Sequence, residues 1–158
     1  LSQTRRYAGI MDALSEANVP VSNVRQIDYH TVFGSPVPST SSYKSYEELF
    51  FPVDYTAVIG FNDLQSYSAM EILKERGYRI PEDISLISFD HLRKTHTYLP
   101  PLTSVADNTD KSIADTAVSI LLNKIKNLDS KFTGAVLPVT IFDEHTTGPV
   151  NKAFEASF

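Results

Sequence analysis

Apolar residues recur every three or four positions between residues 4 and 17, at Tyr7, Ile10, Leu14 and Ala17. That spacing predicts an amphipathic helix with one face turned to a core. Asn18 suits its C-terminal stop, and Pro20 cannot continue it. Residues 24–27 are a short strand candidate that runs into Asp28-Tyr29-His30. Gly, Pro, Ser and Thr dominate residues 31–42, a loop composition too poor in apolar groups to enter a core. A short helix is expected over 45–51, before Pro52.

The pattern then sharpens. Residues 57–61, Ala-Val-Ile-Gly-Phe, form an almost unbroken apolar run, as expected of a parallel strand covered on both faces. Residues 64–76 predict a helix whose buried stripe includes Ala69, Ile72 and Leu73, stopped by Gly77. Residues 84–89 predict the next strand. Strand, helix and strand at this spacing make a βαβ unit, which calls for a right-handed crossover. Beyond it, 103–106 is short and extended, and 110–126 is a second amphipathic helix with Ile113, Ala117, Leu121 and Ile125 on one side. A last strand is expected over 137–142, and the tail from Val150 has no pattern. No internal repeat or heptad is present.

Composition narrows the class. The 158 residues are 42% hydrophobic and 11% aromatic, enough for one ordinary domain core. The absence of cysteine excludes disulfides, thiolate metal sites and a cysteine nucleophile, and fits a cytosolic protein. With net charge −5, and only Arg5-Arg6 and Arg93-Lys94 adjacent, no basic stripe is available to displace counterions from nucleic acid. No apolar run approaches the roughly 20 residues that span a bilayer. The first residues lack both the apolar segment of a signal peptide and an initiator Met, so the sequence reads as part of something longer.

In open α/β sheets, ligands bind at the carboxyl ends of the strands. That rule selects Asn62-Asp63, Asp90 and Asp28-Tyr29, which would share one rim. Asn and Asp are also preferred helix caps, and Asp63 is placed to cap helix 64–76. Asp90 has no apolar helical period after it, and a carboxylate there suits adjacent hydroxyls of a sugar, with Tyr29 offering a flat apolar face. Catalytic chemistry is poorly supported. Histidines 30, 91, 96 and 145 are dispersed, with His91 and His96 a weak metal pair in one loop. None of the nucleophile-elbow, Walker or dinucleotide glycine motifs is present. The remaining Asp and Glu residues read as solvated surface, with no acid/base pair.

The run TAVIGFNDLQSYSAMEILKERGYRIPEDISLISFDHL (56–92), followed by YLPPLTSV (98–105), resembles the core of the lactose/galactose repressor family of transcriptional regulators. The order is an apolar strand ending in Asn-Asp, a small-residue helix, Gly, Ile-Pro-Glu-Asp-Ile-Ser, a strand ending in Phe-Asp, and Pro-Pro-Leu-Thr. Arg6-x-x-Gly9 and the stretch from Leu137-Pro138 to Thr146-Thr147 add weaker similarity. Only the insert at 31–50 and the tail stand apart.

The resemblance implies an α/β fold of the periplasmic-binding-protein type (type I), a parallel sheet with flanking helices, and an incomplete one. Residues 1–103 would belong to the C-terminal lobe of the effector-binding domain and 104–136 to the N-terminal lobe. Residues 137–149 would hold the crossover strand, and 150–158 the tail. By position, the family's ligand contacts fall on Ser2, Arg6, Tyr29, Asn62, Asp90 and Asp107. The implied partners are a sugar-like small effector, a second copy in a homodimer, and DNA through a helix-turn-helix headpiece outside this sequence. No cofactor, metal or membrane is implied. Helix 64–76 and loop 92–99 would lie at the dimer interface. Four positions depart from the family pattern: Asp107 for Gln, Ser88 for Gly, His91 for Asp and Glu144 for Arg. The first exchanges a donor-acceptor for an acceptor and bears on which effector binds. A transporter's periplasmic sugar-binding protein would share the fold, but Ile-Pro-Glu-Asp-Ile-Ser and Pro-Pro-Leu-Thr favour the regulator. A small α/β enzyme would need a nucleophile–base pair that the sequence does not offer.

Overall fold

The computed structural model describes residues 2–27, 49–94, 96–107, 113–127 and 134–156. The first amphipathic stretch forms α1 (Ser2–Glu16). Its end is built on Asn18, which takes φ 57. The Asn18 N–H reaches Ser15 O at 3.0 Å and the Val19 N–H reaches Leu14 O at 2.8 Å. This Schellman cap uses carbonyls that the last helical turn leaves unpaired. A 3-10 turn follows at Val21–Asn23. Residues 24–27, expected as a strand, join no sheet. β propensity expresses itself through neighbours, and this segment has no ladder partner among the described residues. Asp28, Tyr29, His30 and the expected loop at 31–42 lie outside the described residues. Of the expected helix at 45–51, residues 49–50 form a turn and 45–48 lie outside the description.

The central unit is β1 (Ala57–Ile59), α2 (Asp63–Glu75) and β2 (Ser85–Phe89). The two strands are parallel, with Ala57 opposite Ser85 and Ile59 opposite Ile87. α2 ends by the same device as α1. Gly77 takes φ 87, with its N–H on Lys74 O and the Tyr78 N–H on Leu73 O, both 3.0 Å. The predicted stripe of Ala69, Ile72 and Leu73 is buried, together with Met70 and Ser66. Met70 packs on Leu86 and Leu102, while Ala69 and Ile72 pack on Phe50. A Cβ at Gly60 would stand 1.8 Å from Ser66 Oγ, so α2 meets the strand end this closely only because Gly60 has no side chain.

β3 (Ser104–Asp107) continues the sheet parallel to β2, with Ser88 opposite Ser104 and Phe89 opposite Val105. β4 (Val139–Phe142) closes it antiparallel to β3, from Ser104 opposite Phe142 to Asp107 opposite Val139. The order is β1-β2-β3-β4, a mostly parallel α/β sheet. Along one edge of β2, the Ser88 N–H donates to Thr103 O at 3.0 Å, whereas the Leu86 N–H donates to Thr146 O at 2.7 Å. The Thr146 hydroxyl donates to Leu86 O at 2.7 Å and accepts the Thr103 N–H at 2.9 Å. These two buried threonines thus fasten the chain beyond β4 to the sheet. Beside them, the His145 N–H and then the Thr103 hydroxyl hold the Asp143 carboxyl below its ordinary range.

β1 is not covered on both faces, as its apolar run implied. Ile59 is 43% exposed, whereas Leu86 of β2 is fully buried. β1 is the outer strand of the described sheet, and α1 stands off this face. Between them lies a cleft of about 410 Å³ lined by Ile10, Ala13, Leu14, Ile59 and Phe89 among others. α3 (Ile113–Lys126) forms where the second amphipathic pattern lies, and none of its residues is buried. The patternless tail contains a further short helix, α4 (Lys152–Glu155). Phe154 packs edge-on against Tyr78 at 5.9 Å, and the Asn151 amide donates to Asp83 at 3.3 Å. Among the described residues no helix is long and apolar enough to cross a membrane.

Candidate functional site

β1, β2 and β3 run parallel, so the residues after them meet at one rim. β1 leads through Phe61 to Asn62, β2 ends at Phe89 before Asp90, and β3 ends on Asp107. Arg6, in the second turn of α1, reaches across to this rim. Its Nη2 donates to Asp90 Oδ1 at 2.9 Å, its Nη1 donates to the Phe61 carbonyl, and its guanidinium lies 4.8 Å from the centre of the Phe89 ring. The planar cation therefore sits on an aromatic face while its edges bind one carboxylate and one carbonyl. The side chains remain 32% and 43% exposed for Arg6 and Asp90. An ion pair that open contributes little to stability, so its hydrogen bonds can be exchanged for those of a polar ligand at small cost.

The backbone at Asp90 is unusual. The Asp90 N–H still donates to Val105 O at 3.0 Å, extending the β2–β3 pairing by one residue. Asp90 itself takes φ 99 and His91 φ 49. Such values are costly for residues with a Cβ and persist only where neighbours hold them. Immediately beyond is a 3-10 turn at Leu92–Lys94, consistent with the missing apolar period there.

Asn62, and not Asp63 as expected, caps the helix. Asn62 is the last extended residue, at φ −156, and its Oδ1 accepts the Gln65 N–H at 2.9 Å. Asp63 is already helical and 1% exposed. Its carboxylate accepts the Leu92 N–H at 2.6 Å and the Ser104 hydroxyl at 2.8 Å. It is therefore neither the cap nor solvated surface; it ties the start of α2 to β3 and to the segment after Asp90. Among the described residues the Asn62 amide NH₂ group makes no hydrogen bond.

Of the other candidates, Asp107 is partly buried on the same rim, about 6–7 Å along β3 from Val105. α1 begins at Ser2, whose side chain lies outside the described residues, as does Tyr29. The structure thus joins Arg6 and Asp90 directly and adds two groups the sequence reading missed, the Phe89 ring and the Phe61 carbonyl. Strand alternation was a usable signal for Phe89: Leu86 and Ser88 point into the α2 side, which leaves Ile87 and Phe89 on the other.

The departures from the family pattern are accommodated locally. The buried Ser88 hydroxyl accepts from Ser66 at 2.8 Å. Glu144 pairs with Arg93, whose Nε also donates to Leu99 O at 3.2 Å. His91 lies flat on Phe142, with centroids 4.0 Å apart and planes 7° apart. His96 instead meets Tyr98 edge-on.

Comparison with known proteins gives this rim its context. Residues 2–147 match the periplasmic binding protein-like domain. The repressor PurR of Aliivibrio salmonicida is 36% identical over 123 residues, covering 77% of this chain and 35% of that protein. PurR of Mannheimia succiniciproducens is 30% identical over 128 residues, covering 80% and 36%. The chain therefore spans about a third of the length of these curated relatives. The regulator CcpA of Lactococcus lactis superposes with TM-score 0.64 at 26% identity, covering 92% of this chain and 51% of that one. A LacI-family regulator of Enterococcus faecium, solved with bound ribose, superposes with TM-score 0.69 at 24% identity and the same coverage. These relatives are transcriptional regulators, not enzymes. Matched over residues 2–147, the chain belongs to the periplasmic binding protein-like family.

Proposed function

We propose that the rim formed by Arg6, Asp90 and Phe89 is one wall of an effector site, and that the effector is a sugar or sugar derivative. The observation that carries this reading is the Arg6–Asp90 pair seated on Phe89. Arg6 presents N–H donors and Asp90 presents carboxylate acceptors, which together match neighbouring hydroxyls. The Phe89 ring beneath them backs the guanidinium and holds it in place on the rim. The bound ribose in the Enterococcus faecium regulator supports the sugar class. Ser2, Tyr29, Asn62 and Asp107 complete the proposed contact set. With Asp107 acidic, the effector would meet this wall through its own donors.

In the whole protein, the effector would shift the balance between two lobe arrangements by its different affinity for each. A helix-turn-helix headpiece, paired in a homodimer, would read that balance on DNA in the cytoplasm. Residues 1–103 and 137–149 are assigned to one lobe and 104–136 to the other, although β3 (104–107) still pairs with β2 in the sheet of the first, with 150–158 as a tail. The exposed apolar stripe of α3 agrees with a helix whose lobe continues elsewhere. α2 and loop 92–99 are the proposed dimer surface.

Calorimetry of the whole regulator with ribose and a panel of related sugars tests this reading. Asp90→Ala is expected to weaken binding at least tenfold, about 1.4 kcal/mol. Undiminished binding in that variant removes Asp90 from the site. If no sugar in the panel binds the wild type, the sugar class is wrong.

A further inference from the structure

His91 is buried, at 9% exposure, yet among the described residues its Nδ1 has no hydrogen-bond partner. Leaving a polar ring atom buried and unpaired costs stability, so the ring must be held there for something other than its hydrogen bonds. Its flat stack on Phe142 is that contact. Phe142 stands opposite Ser104 in the β3–β4 ladder, and the Ser104 hydroxyl accepts the His91 N–H at 3.0 Å. The same hydroxyl donates to the buried carboxylate of Asp63, which also accepts the Leu92 N–H. The segment after Asp90 is thus pinned to β3, to β4 and to the start of α2.

These anchors surround the two consecutive residues of positive φ, Asp90 and His91. A backbone of that kind relaxes unless its surroundings hold it. We infer that His91 is a positioning residue for the effector rim: its ring, seated on Phe142, holds the backbone that presents the Asp90 carboxylate to Arg6. The inference rests on the reading of Arg6 and Asp90 as effector contacts. It makes β4 part of the frame of a site that β4 does not line. What matters is a flat ring at position 91, and Nδ1 itself is dispensable.

The test uses the full chain, and its first measurement needs no effector. NMR of ¹⁵N-arginine side chains, with Arg6 identified by Arg6→Lys, reads the Arg6–Asp90 pair. Asp90→Asn gives the reference for a broken pair. His91→Ala is expected to move the Arg6 signal to that reference, while His91→Phe keeps the wild-type signal. An unchanged Arg6 signal in His91→Ala overturns the inference, and so does its loss in His91→Phe. Should His91→Ala fail to fold, judged by circular dichroism, His91→Leu fills the volume without a flat ring and is expected to lose the pair. A retained pair in His91→Leu overturns the inference equally.

The second measurement is calorimetry with D-ribose on wild type, His91→Ala, Asp90→Asn and the double variant. A positioning role predicts roughly tenfold weaker binding in His91→Ala, and no further loss when it is added to Asp90→Asn. Fully additive losses overturn it. If the wild type does not bind D-ribose, the cycle is run with a sugar of the panel that binds; should none bind, that failure falls on the sugar reading, and the Arg6 signals decide the role of His91.

Discussion

α2 (Asp63–Glu75) and α3 (Ile113–Lys126) both repeat apolar residues at helical spacing. α2 buries Ala69, Met70, Ile72 and Leu73, whereas Ile113, Val118, Leu121, Leu122 and Ile125 of α3 are all at least half exposed. The sequence pattern does not separate the two cases. What separates them is connection. α2 links two adjacent parallel strands, and a short crossover of that kind has to lie back on the sheet it leaves. α3 follows β3, whose next partner in the sheet is the antiparallel β4, and the described sheet offers it no seat. Periodicity therefore states that a face is meant to be covered, and topology states by what.

The sharpest way to break this comparison is to truncate one buried leucine and one exposed leucine. Leu73→Ala removes a fully buried side chain, and urea unfolding of the full chain should show a loss of about 2–5 kcal/mol. A loss near zero would mean that the α2 face is not the core. Next in size, Gly60→Ala forces a methyl group against Ser66 Oγ and should cost about 1–3 kcal/mol by overpacking. The same change in a Ser66→Gly background should cost less. Equal costs in the two backgrounds would show that the close approach at Gly60 is not what limits the site.

A smaller effect concerns the turn between α2 and β2. Hydrogen bonding from Arg79, and also from Asn151, lowers the Asp83 carboxyl from 3.8 to about 2. A depressed folded-state value means stability that is present above the unfolded value and lost as pH falls through the folded one. Acid unfolding between about pH 4 and pH 2 should therefore carry an Asp83 contribution that is absent in Asp83→Asn. An identical acid profile in the variant would exclude it. The effect should be modest because the Arg79 partner is largely exposed. Smallest of all, Leu121→Ser, at a side chain 58% exposed, should change unfolding by no more than about 0.5 kcal/mol. A loss as large as that of Leu73→Ala would show that α3 is covered after all and would dissolve the contrast.

Much of the βαβ unit was legible because several local signals agreed. The apolar run forms β1 over Ala57–Ile59, the Ala69-Ile72-Leu73 stripe is buried in α2, and Gly77 turns the chain just beyond the helix end. Asn18, read as a stop, likewise ends α1. The misreadings lie where an element depends on a partner. Residues 24–27 have the composition of a strand without a ladder. The run at 57–61 was read as covered on both faces because apolar content reports a strand's need for cover and not its place at the edge of the described sheet. At the site, the strand-end rule selected Asn62 and Asp90 by position alone. It could not divide the labour between Asn62 and Asp63, since either residue type can cap a helix. Where the extended backbone ends decided that Asn62 caps, and Ser104 and the Leu92 N–H, 41 and 29 residues away in sequence, decided that Asp63 is buried.

By itself the sequence determined α1, α2 and α3, the strand–helix–strand order and the family. These follow from short-range periodicity, from stop residues and from a run of some fifty residues in fixed order. Only the tertiary structure brought Arg6 onto Phe89 and against Asp90, 84 residues away, and stacked His91 on Phe142. Contacts between distant segments depend on how strands are ordered and how far a helix stands from its sheet. No local pattern encodes either quantity, so the rim that was read as three separate strand ends became a positioned pair only when the chain folded.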